Sequence, residues 1–366
     1  MRLLEDGQRV GDAYEVERFL GEGAFAEVYR VRHEIFGRQA MKVFKRTGTA
    51  EETKTMLGEA IMLTRIGHPN IIRVFHAGMV SSPHGMSGYF TMEYVAGGNL
   101  QRFWVSHRER FVPVEDSVRI LHQIADGLAV AHSARPAIVH RDITPQNILV
   151  GYDTGGLRAK LSDFGLAKSV NPMTLMAGTK GTLAFKAPES LLNRQGDSRA
   201  GDVWALGTIA YLLLTDTLPY EDGGPASYFG TQRRNPPPPP HEFNAEVDGE
   251  LDRIVLRALD PDPSTRTPDA NALAAELARW WAGRGRRQAE QVVHLPSRTS
   301  KNVLGHPSPT TDDEAARLAA RARELARQAT TLSEAADLME EAFNKSPNLR
   351  ATHEHWLRLW RKGVLT

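Results

Sequence analysis

The stretch His140-Arg141-Asp142-Ile143-Thr144-Pro145-Gln146-Asn147, followed by Asp163-Phe164-Gly165, carries two acids and an amide at separations suited to phosphate chemistry. One carboxylate can take the proton of a hydroxyl nucleophile, while a second, with an amide oxygen, holds a divalent cation against a triphosphate. Asp142 is the candidate base; Asn147 and Asp163 are the candidate metal ligands. A lone Asp or Asn is most often a turn former. The reading therefore depends on what the rest of the chain supplies.

Leu20-Gly21-Glu22-Gly23-Ala24-Phe25-Ala26-Glu27-Val28 lies between two predicted strands. Glycines there let backbone N–H groups approach phosphates, with the hairpin folding over them. Ala26 stands where a third glycine is usual, which stiffens the loop. Ala40-Met41-Lys42 follows on a strand, and its ammonium can reach the α- and β-phosphates as a point charge. Glu59 is the carboxylate expected to hold Lys42, because it sits in an apolar-periodic helix with Leu63 on the same face.

Short β-rich runs at Tyr14–Leu20, Glu27–Arg32, Gln39–Phe44 and Tyr89–Val95 predict strands, and residues 51–66 predict one helix among them. From Glu115 the periodicity turns helical, and further apolar helices are expected at Asp202–Leu214 and Leu251–Leu259. Pro236–Pro240 is a polyproline run, either a ligand for a Pro-binding module or an internal connection between helices. The fold class is α+β, with two lobes and a cleft between them. A basic, Pro/Gly/Ser-bearing linker is expected at 284–310 and a small all-α appendage at 311–366.

Composition is that of a soluble globular protein: 41% apolar and 24% charged residues, with a net charge of +1. That balance argues against nucleic acid as a partner. The chain has no cysteine, so thiol nucleophiles, disulfides and Cys-based zinc sites are excluded. No apolar run is long enough to span a bilayer, and a cytoplasmic location is expected.

The Gly loop, Lys42, the HRDxxxxN and DFG segments and Ala187-Pro188-Glu189 occur in one order, and together the chain resembles the eukaryotic-like (Hanks-type) Ser/Thr protein kinases, bacterial members above all. The similarity covers residues 10–283 and extends to Gly181-Thr182, Asp202-Val203-Trp204 and Arg266. It implies a bilobal protein kinase fold, with an N-lobe over about 10–95 and a C-lobe over about 96–283. It implies ATP with Mg²⁺ (or Mn²⁺) as cofactors and a protein substrate.

Met92 would be the gatekeeper, and the backbone of Glu93 to Val95 would hydrogen-bond adenine. Val28, Ala40 and Leu149 would sandwich the base. Leu63, Phe164 and His140 would stack as a spine, and Glu189 would pair with Arg266. Thr182 favours a Ser/Thr acceptor. Arg141 implies control by a phosphorylated activation loop, with Lys168 completing the pocket and Thr174 and Thr179 ahead of Ser169 as acceptors. Thr144 departs from the family, whose lysine there contacts the γ-phosphate. Losing that cation costs about 10²–10³ in rate unless another, such as Lys180 or Lys186, replaces it. A nucleotide-binding scaffold without catalysis is the alternative.

In the appendage, Ala319, Ala322 and Ala326, then Ala335, Met339, Ala342 and Pro347, have the spacing of a tetratricopeptide-like repeat. Trp356 and Trp360 fall one turn apart and form an exposed aromatic pair in this reading. A single repeat cannot bury its own face. The tail therefore packs on the C-lobe, self-associates or binds another protein.

Overall fold

The computed structural model describes residues 2–23, 25–45, 66–107, 111–153, 156–164, 182–192, 197–220, 236–292, 311–326 and 331–361. Six strands among them form one antiparallel sheet: β1 (Arg9–Val10), β2 (Tyr14–Glu22), β3 (Ala26–His33), β4 (Gly37–Phe44), β5 (Val74–Ser82) and β6 (Gly85–Glu93), in the order β1-β2-β3-β4-β6-β5. Register pairs Val28 with Lys42, Lys42 with Phe90, and Ala40 with Met92. A slip of one residue would turn Lys42 to the opposite face of the sheet. The segment before β1 seals one end, with Leu3 and Leu4 buried and their N–H groups donating to Glu27 Oε2 at 2.9 Å and Tyr29 Oη at 3.0 Å. The helix expected over 51–66 falls outside the described residues.

The second lobe contains α1 (Leu100–Val105), α2 (Val114–Ser133), a hairpin of β7 (Ile148–Asp153) and β8 (Gly156–Leu161), α3 (Pro188–Leu192), α4 (Arg199–Thr215), α5 (Gly249–Ala258) and α6 (Ala270–Val292). In α2 the residues Val114, Val118, Leu121, Ala125 and Leu128 recur at three- and four-residue steps and are buried as one stripe. Glu115 and Asp116 complement the positive end of its dipole. Helix α4 is apolar on all sides and almost wholly buried, as such a helix must be. Its start is fixed by the Ser198 hydroxyl, which accepts from Gly201 N at 3.0 Å. The polyproline run is an internal connection: Pro240 is buried and Tyr211 Oη donates to the Pro238 carbonyl at 3.0 Å. No helix among the described residues is long and apolar enough to cross a membrane.

Helix α6 continues to Val292, past residue 283 where the sequence reading placed the linker. The appendage forms α7 (Thr311–Leu325), α8 (Leu332–Lys345) and α9 (Leu349–Arg361). Ala319, Ala322, Ala326, Ala335, Met339 and Ala342 are all buried in one core. Trp360 is 2% exposed and Trp356 is half-buried against the same core. The exposed aromatic pair expected from spacing is thus covered, because α9 packs back on α8.

The tail reaches both lobes. Arg38 Nη1 on β4 lies 2.9 Å from Asp337 Oδ2, and Arg350 Nη1 lies 3.5 Å from Asp116 Oδ2 at the head of α2. The Arg350 guanidinium also stands 4.3 Å over the Tyr152 ring of β7. Asn344 Nδ2 donates to the Gly97 carbonyl where the lobes join.

Glu340 on α8 is 1% exposed, and burial pushes its carboxyl up to about 7 against the opposing pull of Arg361, whose Nη2 is 2.5 Å away. Asp337 and Asp153 of β7 add negative charge around it, and Arg38 pairs with Asp337. An acid with a raised folded-state pKa makes the folded chain bind more protons than the unfolded one between about 4.5 and 7. Stability should therefore fall as pH rises through that window and level off above it. The loss should be on the order of 3 kcal/mol relative to Glu340→Gln. Urea unfolding of both proteins from acid to neutral pH checks this, and parallel curves would contradict it.

Candidate active site

The β4 strand delivers Lys42 across the cleft to Asp163, with Nζ 2.6 Å from Oδ1. Lys42 is 8% exposed, so the pair is screened little by solvent. Asp163 holds a positive φ of 60° directly after β8, a conformation that costs a non-glycine residue about 1–3 kcal/mol. Asn147, just before β7, donates through Nδ2 to the Asp142 carbonyl at 2.7 Å and to its Oδ2 at 3.2 Å. These bonds use the Asn147 amide nitrogen and not its oxygen, and Lys42 meets one of the two carboxylate oxygens of Asp163. Two hard oxygen donors fit Mg²⁺, which is commonly completed by phosphates and water.

The catalytic loop is braced from beneath. Asp202 on α4, 2% exposed, accepts from His140 N and Arg141 N at 2.8 Å each and from His132 Nε2 at 3.0 Å. These bonds hold Arg141 at a φ of 72°. His140 is fully buried, and burial pushes its imidazole below the ordinary range, so it is neutral. Its Nε2 faces the Ser162 carbonyl at 2.9 Å and its Nδ1 accepts from Asp142 N at 3.2 Å. The ring also lies 4.5 Å from that of Phe164, which joins two of the three expected spine members. Leu63, the third, lies outside the described residues.

Of the residues expected around adenine, Ala40 and Met92 are buried, and Val28, Val95 and Leu149 are partly buried against the same core. Glu93 is held by Lys160 Nζ at 2.9 Å. A Cβ on Gly97 would come 2.1 Å from the Val150 carbonyl, so the lobe connection can pass this close to β7 only with glycine there. In the Gly loop, Leu20 and Gly21 are half-buried, Glu22, Gly23 and Phe25 are exposed, and Ala26 is buried. A Cβ at Gly21 would meet nothing within 4 Å, and one at Gly23 only the Ala26 carbonyl at 4.0 Å, which leaves room for phosphate. Ala24, Glu59, Lys168, Ser169, Thr174, Thr179 and Lys180 lie outside the described residues.

Thr144 is 3% exposed and contributes little surface to the cleft. Arg141 Nε meets Asp197 Oδ2 at 3.2 Å. The Glu189–Arg266 brace is present as a two-pronged pair of 2.6 and 3.0 Å. Sequence reasoning did not anticipate the roles of Asp202, His132 and Asp197. Only the presence of Asp202 in a recognisable segment pointed its way.

A model of the protein kinase domain matches residues 14–278. A probable serine/threonine-protein kinase PknB of Corynebacterium glutamicum is 31% identical over 281 residues, covering 74% of this chain and 42% of that protein. Serine/threonine-protein kinase Pkn1 of Myxococcus xanthus is 36% identical over 283 residues, covering 74% and 39%. The chain thus spans less than half the length of these curated relatives. The solved PknI kinase domain of Mycobacterium tuberculosis, a point mutant, superposes with a TM-score of 0.56 at 25% identity, covering 76% of this chain and 99% of that one. With its cleft, its braced loop and most of its length matched in this way, the chain belongs to the protein kinase domain family.

Proposed function

We propose that the chain transfers the γ-phosphoryl group of ATP to serine and threonine hydroxyls of proteins. The observation that carries this is the Asp142 carboxylate. Its Oδ2 is held by Asn147 at 3.2 Å, while the buried Oδ1 accepts no aligned hydrogen bond and lies 3.2 Å from Lys186 Nζ. Asp142 takes the hydroxyl proton as the acceptor oxygen bonds to the γ-phosphorus and the bond to the β-phosphate oxygen breaks, releasing ADP. Lys42 binds the α- and β-phosphates, and the loop from Leu20 to Val28 covers them. Adenine sits between Val28, Ala40 and Leu149, against Met92 and the Glu93–Val95 backbone.

Asn147 and Asp163 would hold the divalent cation, Mg²⁺ with Mn²⁺ as substitute, which neutralises charge on the phosphates. A cytosolic location, where ATP is supplied, is part of the same reading. Thr182 and the names of the curated relatives favour Ser/Thr acceptors. Autophosphorylation at Thr174 or Thr179 would bring a phosphate to Arg141 in competition with Asp197. The tail, already docked on both lobes, would serve mainly to set their relative position. Partner binding would use whatever surface it leaves open.

Incubation of the full chain with MgATP and myelin basic protein should yield phosphoserine and phosphothreonine. Nucleotide binding without transfer would favour the catalytically silent scaffold instead.

A further inference from the structure

We infer that Lys186, just ahead of Ala187-Pro188-Glu189, supplies the cation missing from the catalytic loop at Thr144. The inference rests on the phosphotransfer reading above. Lys186 Nζ lies 3.2 Å from Asp142 Oδ1 and also donates to the Arg141 carbonyl, so its ammonium is fixed at the base itself. The Lys186 side chain is mostly buried, and the Asp142 Oδ1 that it meets is itself buried, so the pair is screened little by solvent. Thr144, Arg141 and Asp197 border one small pocket together with Lys186. The two positions are therefore neighbours, one on the catalytic loop and the other on the segment that leads into Ala187. A lysine at 144 would approach the transferring group from the loop; Lys186 approaches it from the activation segment.

Two further features fit this assignment. The Asp142 Oδ1 contact is an ion pair without an aligned hydrogen bond, so Lys186 adds positive charge at this buried oxygen without donating to it. Of the nearby cations, Lys42 is engaged with Asp163 at 2.6 Å and Arg141 with Asp197 at 3.2 Å. That leaves Lys186 as the described cation in contact with the base. When substrates bind, its ammonium bridges the base and the γ-phosphoryl oxygens, where charge develops in the transition state.

The test compares full-length wild type, Lys186→Met, Lys186→Arg and the double variant Thr144→Lys/Lys186→Met. Phosphate transfer from MgATP to myelin basic protein gives kcat, and titration with a fluorescent ATP analogue gives nucleotide affinity. Lys186→Met is expected to lower kcat by about 10²–10³ with affinity within twofold of wild type. At least one of the two cation-bearing variants should regain tenfold or more over Lys186→Met. A kcat for Lys186→Met within threefold of wild type overturns the inference. So does a loss that neither variant recovers, or one accompanied by lost nucleotide affinity, since either marks a merely structural lysine. An inactive wild type would instead overturn the kinase reading.

Discussion

Asp142→Asn should lower kcat by about 10²–10⁴ while leaving ATP affinity unchanged. The substitution keeps the volume and one acceptor oxygen, so the Asn147 contact to this side chain, 3.2 Å in the wild type, can persist. What disappears is the group able to carry a proton and the negative partner of Lys186, now 3.2 Å away. Neither lies where adenine or the α- and β-phosphates bind, so the effect should appear in kcat. An accompanying rise of tenfold or more in the nucleotide dissociation constant would mean that Asp142 shapes the binding site rather than the chemical step.

Arg266→Leu should destabilise the second lobe by about 3–5 kcal/mol, because it removes one partner of a buried ion pair and leaves the other uncompensated. Arg266 is 1% exposed. Beyond its two contacts with Glu189, it donates to the carbonyls of Asp260 at 2.8 Å, Ala200 at 3.0 Å and Pro261 at 3.2 Å, and it lies 5.0 Å over the Trp204 ring. Each carbonyl loses a donor in the variant, and leucine offers none. A fall in Tm on the order of 10 °C is expected for a lobe of this size. By contrast, Glu354→Ala breaks the i,i+4 pair with Arg358 at 3.0 Å, whose arginine side chain is 53% exposed, and should cost at most about 0.5 kcal/mol. Equal effects of the two substitutions would contradict the weight given to burial.

The candidate chemistry-bearing residues could be proposed from sequence because the motifs that hold them are short segments. Lys42, Asp142, Asn147 and Asp163 each stand in such a segment, on β4, in the loop before β7 or just after β8. Their long-range partners were not legible. Nothing near His140 or Arg141 indicates that Asp202, some sixty residues later, caps both amides. Nothing near Arg38 announces Asp337. The appendage shows the same limit: helical spacing placed Trp356 and Trp360 on one face, and only tertiary packing decides whether that face is covered. Strand β5 and the β7–β8 hairpin were absent from the sequence reading as well. In β5, alternation is broken by Gly78 and by the irregular register between Val74 and His76, so a period of two is hard to see.

The proposed function requires this centre to transfer phosphate to protein in spite of Thr144. A single-turnover experiment decides it, with the full chain in excess over radiolabelled ATP and Mg²⁺ added to start the reaction. Label should move onto protein serine and threonine, and chelating the metal should stop the transfer. Label that stays on ATP, or appears only as free phosphate while nucleotide remains bound, would contradict the proposed function.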